Sequence, residues 1–216
     1  MRCENCMQQM QTEQYPCPHC GYQPDPDAQN EKYLMPGTKV GQYELGRVLG
    51  AGGFGITYLG WDNNLQRRVA IKEYFPSNLS TRIPGHTEIS VFTGEKAKIY
   101  HHGLQRFLEE ARLLMRFSGQ KGIVSIYDVL EENGTAYIVM EYLEGITMKQ
   151  RIAQVGVMNE DELLQCMIPA ILTLKFLHQD GYIHRDIAPD NIMYLPDGSI
   201  KILDFGPARY AVMEES

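Results

Sequence analysis

Two short apolar runs, Ile192-Met-Tyr-Leu195 and Ile200-Lys-Ile-Leu203, flank Pro196-Asp197-Gly198-Ser199. Proline presets one turn dihedral, aspartate and serine bond their own backbone, and glycine takes a positive φ. The segment is therefore expected to fold back on itself as a hairpin. With four residues in the loop, Leu195 pairs with Ile200, Ile192 pairs with Leu203, and Asn191 faces Asp204. Opposed residues have Cβ atoms roughly 5 Å apart. An amide oxygen and a carboxylate at that spacing suit Mg²⁺, a hard cation that takes oxygen ligands and bridges phosphates. Asp186 lies five residues before Asn191 and can accept a proton from an attacking hydroxyl. Upstream, Asp161 to Gln179 has a helical pattern that Pro169 should kink and Gly181 should end.

A second constraint sits near the middle of the chain. Tyr43 to Leu49 alternates apolar and polar residues, as a half-buried strand does. Gly50-Ala-Gly52-Gly53-Phe-Gly55 follows, and then Ile56-Thr57-Tyr58-Leu59. β-Branched and aromatic residues after the glycines favour a second strand over a helix. The glycines are then the tip of a hairpin, where backbone N–H groups can approach phosphates closely. Arg68 to Lys72 reads as a third strand, with Ala70 and Lys72 on one face. There alanine leaves room for a flat base and lysine reaches phosphate.

Gly50 to Thr57, together with Val69-Ala-Ile-Lys72, resembles the N-terminal lobe of the Hanks-type (eukaryotic-like) bacterial serine/threonine protein kinases. Tyr182-Ile-His-Arg-Asp186-Ile-Ala-Pro-Asp-Asn191 and Asp204-Phe205-Gly206 resemble the catalytic and metal-binding segments of that family. The resemblance implies an α+β, protein-kinase-like fold, with a β-rich N-lobe and a partial helical C-lobe. It implies transfer of the ATP γ-phosphoryl group to a protein hydroxyl, with serine or threonine the expected acceptor. Asp186 would receive the hydroxyl proton, and Asn191 and Asp204 would hold Mg²⁺. Gly50, Gly52, Gly53, Gly55, Thr57 and Ala70 would enclose the nucleotide, and Lys72 its phosphates. Glu141 and Leu143 would bind adenine through the backbone of the hinge that follows a strand at 136–140. Lys72 needs a carboxylate from the next helix, expected over Leu104–Phe117. At 100° per residue, Glu110 falls at the rim of the apolar face of that helix and Glu109 in solvent. Glu110 is thus the expected partner. The connection from Glu73 to Gly103 is longer than such a lobe needs, and its role is left open.

Four of the five cysteines lie in the first twenty residues, as Cys3-x2-Cys6 and Cys17-x2-Cys20. Two such turns complete a tetrahedral thiolate site. About thirty residues cannot build an adequate core, so a bound metal would supply the folding energy. Two disulfides or a redox pair are the alternatives. Residues 1–10 lack the apolar core of a secretion signal, which disfavours disulfides and leads to the expectation of a cytoplasmic protein with a structural zinc ribbon. Residues 1–30 hold one basic side chain (Arg2) and four acids, and the whole chain carries a formal charge of −7. No nucleic-acid partner is expected from that balance. The longest apolar stretch, Cys166–Leu177, is too short to span a bilayer.

The expected organisation is a zinc ribbon at 1–22, a linker at 23–42, a kinase N-lobe and hinge at 43–145, and a partial C-lobe at 146–216. Two departures bear on activity. Ala188 stands where serine/threonine kinases carry lysine, and the chain ends ten residues past Gly206. The alternatives are therefore a non-catalytic ATP-binding scaffold whose ribbon contacts protein, or an inactive gene fragment.

Overall fold

The structure, a computed structural model, describes residues 1–11, 15–25, 30–203 and the backbone of 209–210. Two compact units divide the chain: Met1–Leu108 with Tyr127–Tyr142, and Glu109–Ile126 with the residues from Leu143 onward.

The first unit is built on a sheet of β1 (Lys39–Val40), β2 (Tyr43–Ala51), β3 (Gly55–Asp62), β4 (Arg67–Tyr74), β7 (Ile126–Glu132) and β8 (Thr135–Glu141). Their order across the sheet is β1-β2-β3-β4-β8-β7. Tyr58 pairs with Ile71, and Ile71 in turn with Val139, so these three share one face. All three are fully buried. Gly60 makes room there, since a Cβ would stand 2.4 Å from Ile71 Cδ1.

The long connection after Lys72 is structured. It forms a hairpin of β5 (Ser80–Arg82) and β6 (Ile89–Val91), with Ser80 opposite Val91. Arg82 and Glu73 form a fully buried ion pair that fixes this hairpin to β4. The segment expected to be a linker holds β1 and a buried Leu34, whose N–H donates to the Tyr58 hydroxyl at 3.1 Å.

Helix α1 (Glu95–Met115) begins nine residues before the expected Leu104. Its first half is polar, but Tyr100 is fully buried there and meets Tyr74 at 5.2 Å. Gly103 allows that contact, because a Cβ would lie 2.2 Å from the Tyr74 hydroxyl. Glycine within a helix costs about 1 kcal/mol relative to alanine.

The second unit contains α2 (Met148–Val155) and α3 (Glu160–Gln179). Thr147 and Gln150 form a reciprocal capping box at the start of α2. Asn159 caps α3, and Glu160, Asp161 and Glu162 in the first turn suit the positive end of the helix. Pro169 lies inside α3, and its carbonyl accepts from the Thr173 hydroxyl at 2.8 Å. Ile123 makes an isolated parallel bridge to Ile202. The remaining strands are β9 (Ile146–Thr147), β10 (Tyr182–Ile183), β11 (Ile192–Tyr194), β12 (Ile200–Ile202) and β13 (Arg209–Tyr210).

The β11–β12 hairpin corrects the expected register. Ile192 pairs with Ile202 and Tyr194 with Ile200. The loop therefore holds Leu195 to Ser199, closed by Leu195 N–H on the Ser199 carbonyl at 2.9 Å. Asn191 faces Leu203, and its carbonyl accepts from Leu203 N–H at 2.8 Å. Asp204 lies outside the described residues. Among the described residues, no helix is long and apolar enough to cross a membrane.

Candidate active site and metal centre

The glycine hairpin belongs to the first unit. Gly50 pairs with Thr57 and Ala51 with Ile56, and Gly52 N–H donates to the Gly55 carbonyl at 2.9 Å to close the tip. These glycines divide by cause. Gly55 is required by packing, since a Cβ would lie 2.3 Å from the Glu73 carbonyl. At Gly50, Gly52 and Gly53 a Cβ meets nothing within 4 Å, and none of the three has a positive φ. Neither packing nor backbone conformation calls for glycine there, whereas close approach by a ligand does.

Thr57 lies directly opposite Lys72, and Ala70 opposite Met140 at the end of β8. Ala70, Lys72, Thr57 and Met140 thus line one side of the sheet, opposite the face covered by the β5–β6 hairpin. Glu141 ends β8, and Leu143 begins the second stretch of chain that belongs to the second unit. On α1, Glu109 is exposed and Glu110 half-buried. Glu110 belongs to the second unit and Lys72 to the first.

In the second unit the loop before β11 is organised around two side chains. Asn191 lies in the 3-10 turn Pro189–Asn191, and its Nδ2 donates to both the Asp186 backbone carbonyl and Asp186 Oδ2, each at 2.9 Å. The carboxylate is thereby aimed, and Asn191 Oδ1, a hard oxygen, is left to serve a cation. His184 is buried, and sequence reasoning gave it no role. Asp186 N–H donates to His184 Nδ1 at 3.3 Å, so Nδ1 is the bare nitrogen. Nε2 then carries the proton and donates to the Leu203 carbonyl at 3.0 Å. A neutral imidazole so held ties the Asp186 loop to the end of β12. Arg185 between them takes φ 65°, a left-handed conformation rare outside glycine. Sequence reasoning also missed Lys149 on α2, whose Nζ lies 2.9 Å from Asp190 Oδ2. It brings a cation to the loop that has Ala188 where the family has lysine.

The cysteine quartet forms a second centre. Cys3 Sγ lies 3.8 Å from Cys20 Sγ, and Cys6 Sγ 3.9 Å from Cys17 Sγ. All four sulfurs lie within 4.8 Å of one another. A tetrahedron of thiolates at about 2.3 Å from an ion has edges of about 3.8 Å, so the quartet fits a metal ion of zinc's size. All five cysteines are free thiols, which leaves the two-disulfide alternative without support. Burial pushes the Cys6 thiol up to about 12. At Cys20 burial acts in the same direction, but hydrogen bonds from Tyr22 N–H and Asn5 prevail and bring it down to about 7. Cys20 is the exposed member of the quartet.

The family model of the protein kinase domain matches residues 43–216. The chain is 36% identical over 172 residues to the serine/threonine-protein kinase PrkC of Bacillus subtilis (strain 168), covering 78% of this chain and 23% of PrkC. It is 34% identical over 172 residues to the serine/threonine-protein kinase PknB of Mycobacterium tuberculosis (strain ATCC 25177 / H37Ra), covering 78% of this chain and 24% of that protein. A solved structure of PpkA-294 in its apo form superposes with a TM-score of 0.76 at 36% identity, covering 82% of this chain and 62% of that one. The chain thus spans about a quarter of the length of the curated relatives it matches. The protein kinase domain model covers most of the chain, and the chain therefore belongs to the protein kinase domain family, among relatives of the bacterial serine/threonine kinases.

Proposed function

We propose that this chain carries the nucleotide and catalytic machinery of a serine/threonine protein kinase. The observation that carries the reading is the Asn191 amide, which holds the Asp186 carboxylate at 2.9 Å in a tight turn. In the reaction the bond between the γ-phosphorus and the β,γ-bridging oxygen breaks. A bond forms from the acceptor serine or threonine oxygen to that phosphorus, the hydroxyl proton passes to Asp186, and ADP leaves. Gly50, Gly52, Gly53, Gly55, Thr57 and Ala70 receive ATP, with adenine against the backbone of Glu141 and Leu143. Lys72, supported by Glu110, binds the phosphates. Asn191 and Asp204 would hold Mg²⁺, which supplies charge neutralisation at the transferring group.

The quartet of Cys3, Cys6, Cys17 and Cys20 is a structural zinc site in this reading. A cytoplasmic location goes with this reading, because paired Cys-x2-Cys thiolates persist as metal ligands where thiols stay reduced. A protein is the substrate and nucleic acid is not a partner.

Ala188 favours a second reading, a nucleotide-binding scaffold without transfer. Removing one contact to a developing anion costs about 10²–10³ in rate. One experiment separates the two: purified chain, Mg²⁺ and γ-labelled ATP with a generic protein acceptor. Label transfer that is lost in Asp186→Asn with Mg·ATP affinity unchanged supports the kinase. Mg·ATP affinity without transfer in either protein supports the scaffold.

A further inference from the structure

We propose that the metal-loaded cysteine knuckles are a brace on the strand that feeds the glycine turn, so that metal occupancy sets this lobe's affinity for a nucleoside triphosphate. The proposal rests on the kinase and zinc readings above and adds a connection between them.

The connection begins with an irregularity in β2. Its pairing with β3 shifts register between Leu45 and Val48, and again between Val48 and Gly50. A bulge releases a backbone group from the ladder. Arg47 N–H donates to the Glu4 carbonyl at 2.8 Å. Glu4 lies within the Cys3-x2-Cys6 turn, so its carbonyl is positioned by the same turn that would grip the ion. Gly46 shows how closely the knuckle sits on the strand: a Cβ there would lie 2.5 Å from the Glu4 carbonyl oxygen and 2.6 Å from Met7 Sδ.

Side chains reinforce the seat. Asn5 Oδ1 accepts from Arg47 Nε at 2.6 Å, while Asn5 Nδ2 reaches Cys20 Sγ at 3.6 Å. One side chain therefore links the strand to the second knuckle. The Arg2 guanidinium lies 4.2 Å from the Trp61 ring centre and 3.9 Å from a Glu44 carboxylate oxygen. Glu44 and Trp61 are themselves opposed across β2 and β3. A ribbon hung on a free linker has no use for a bulge, a glycine and a tryptophan shaped to receive it.

The knuckles have little of their own to hold them together. Their buried cluster is Cys3, Met10 and Cys17. Without the ion such a segment cannot offset its chain entropy. The Glu4 carbonyl then leaves Arg47, which lies three residues before Gly50, or about 10 Å along a strand. The end of β2 that carries the glycine turn loses its outer support.

The test uses the full chain, loaded with zinc or stripped with a chelator under reducing conditions. Three quantities are read: amide hydrogen exchange across 43–51, emission from Trp61, the chain's one tryptophan, and Mg·ATP affinity. Stripping is expected to speed Arg47 exchange at least tenfold, redshift Trp61, and weaken Mg·ATP binding by about fivefold or more, the range of typical site-to-site coupling. Gly46→Ala keeps all four thiolates; it should retain one zinc yet bind Mg·ATP at the weaker value with and without metal. If that variant does not fold, Arg2→Ala with Asn5→Ala replaces it, with the same expectation. Equal exchange and equal affinity in the loaded and stripped wild-type chain overturn the proposal, as does failure to take up zinc. Absence of Mg·ATP binding in both states sinks the kinase reading and the nucleotide half of the proposal together, while exchange and emission still decide the brace.

Discussion

Glu73 follows Lys72 in β4, so its side chain points to the opposite face of the sheet. It is fully buried and accepts from Arg82 Nη1 at 3.3 Å, from Arg82 Nη2, and from the Tyr58 and Tyr137 hydroxyls at 3.0 Å each. Burial first, and then the Glu73 charge, raises both tyrosine hydroxyls well above their ordinary range. For Arg82 burial opposes the charge, and the Glu73 carboxylate more than restores it. The same guanidinium donates to the Lys32 and Thr87 carbonyls at 2.9 and 3.0 Å. One ion pair therefore fixes the β5–β6 hairpin and the segment before β1 onto the sheet. Removing one partner of a buried pair costs about 3–5 kcal/mol, because the other charge is left unpaired. Arg82→Met is expected to lose that much in urea unfolding, and Glu73→Gln with Arg82→Met to recover part of it. A melting curve for Arg82→Met that overlays the parent would contradict the assignment. None of this was legible in the sequence: Glu73 and Arg82 are ordinary charged residues nine positions apart, and only the fold reveals that both face inward.

At the level of elements, the glycine hairpin makes a prediction that separates packing from ligand approach. Gly55→Ala drives a methyl against the Glu73 carbonyl, 2.3 Å away, whereas Gly52→Ala meets open space. Overpacking costs about 1–3 kcal/mol. Gly55→Ala should therefore lower stability by that amount, while Gly52→Ala should leave unfolding unchanged and weaken Mg·ATP binding. Calorimetry of both variants with and without nucleotide checks the split. If Gly52→Ala destabilises the apo chain as much as Gly55→Ala does, the division of the glycines by cause is wrong. The strands around this turn were readable because alternation and β-branched residues mark them directly. The β11–β12 hairpin was read one residue out of register because Pro-Asp-Gly-Ser announces a turn but not how many residues it closes. Leu195 joins the loop, so Leu203 takes the place opposite Asn191. The early start of α1 was hidden for another reason: over 95–103 its stability comes from Tyr100 against Tyr74, a contact no helical periodicity announces.

For the whole chain, the question is whether the cysteine knuckles fold as a separate body or together with the sheet. Composition suggested separation, because prolines and polar residues lie between them. The structure places Met1–Leu108 in one compact unit, with Leu34 buried and β1 paired to β2 along the way. A ligand that binds only the folded form stabilises it by RT ln(1 + [L]/Kd), about 4 kcal/mol at a thousandfold excess over Kd. If knuckles and sheet are one body, zinc at such an excess should raise the melting of the sheet itself. Trp61 makes this measurable, since the sole tryptophan sits on β3 beneath Arg2 of the knuckle segment. In the zinc-loaded chain, unfolding followed by Trp61 emission and by far-ultraviolet circular dichroism should coincide, and chelation should move both midpoints down together. If the knuckles were instead a tethered accessory, chelation would leave the melting of the sheet where it was.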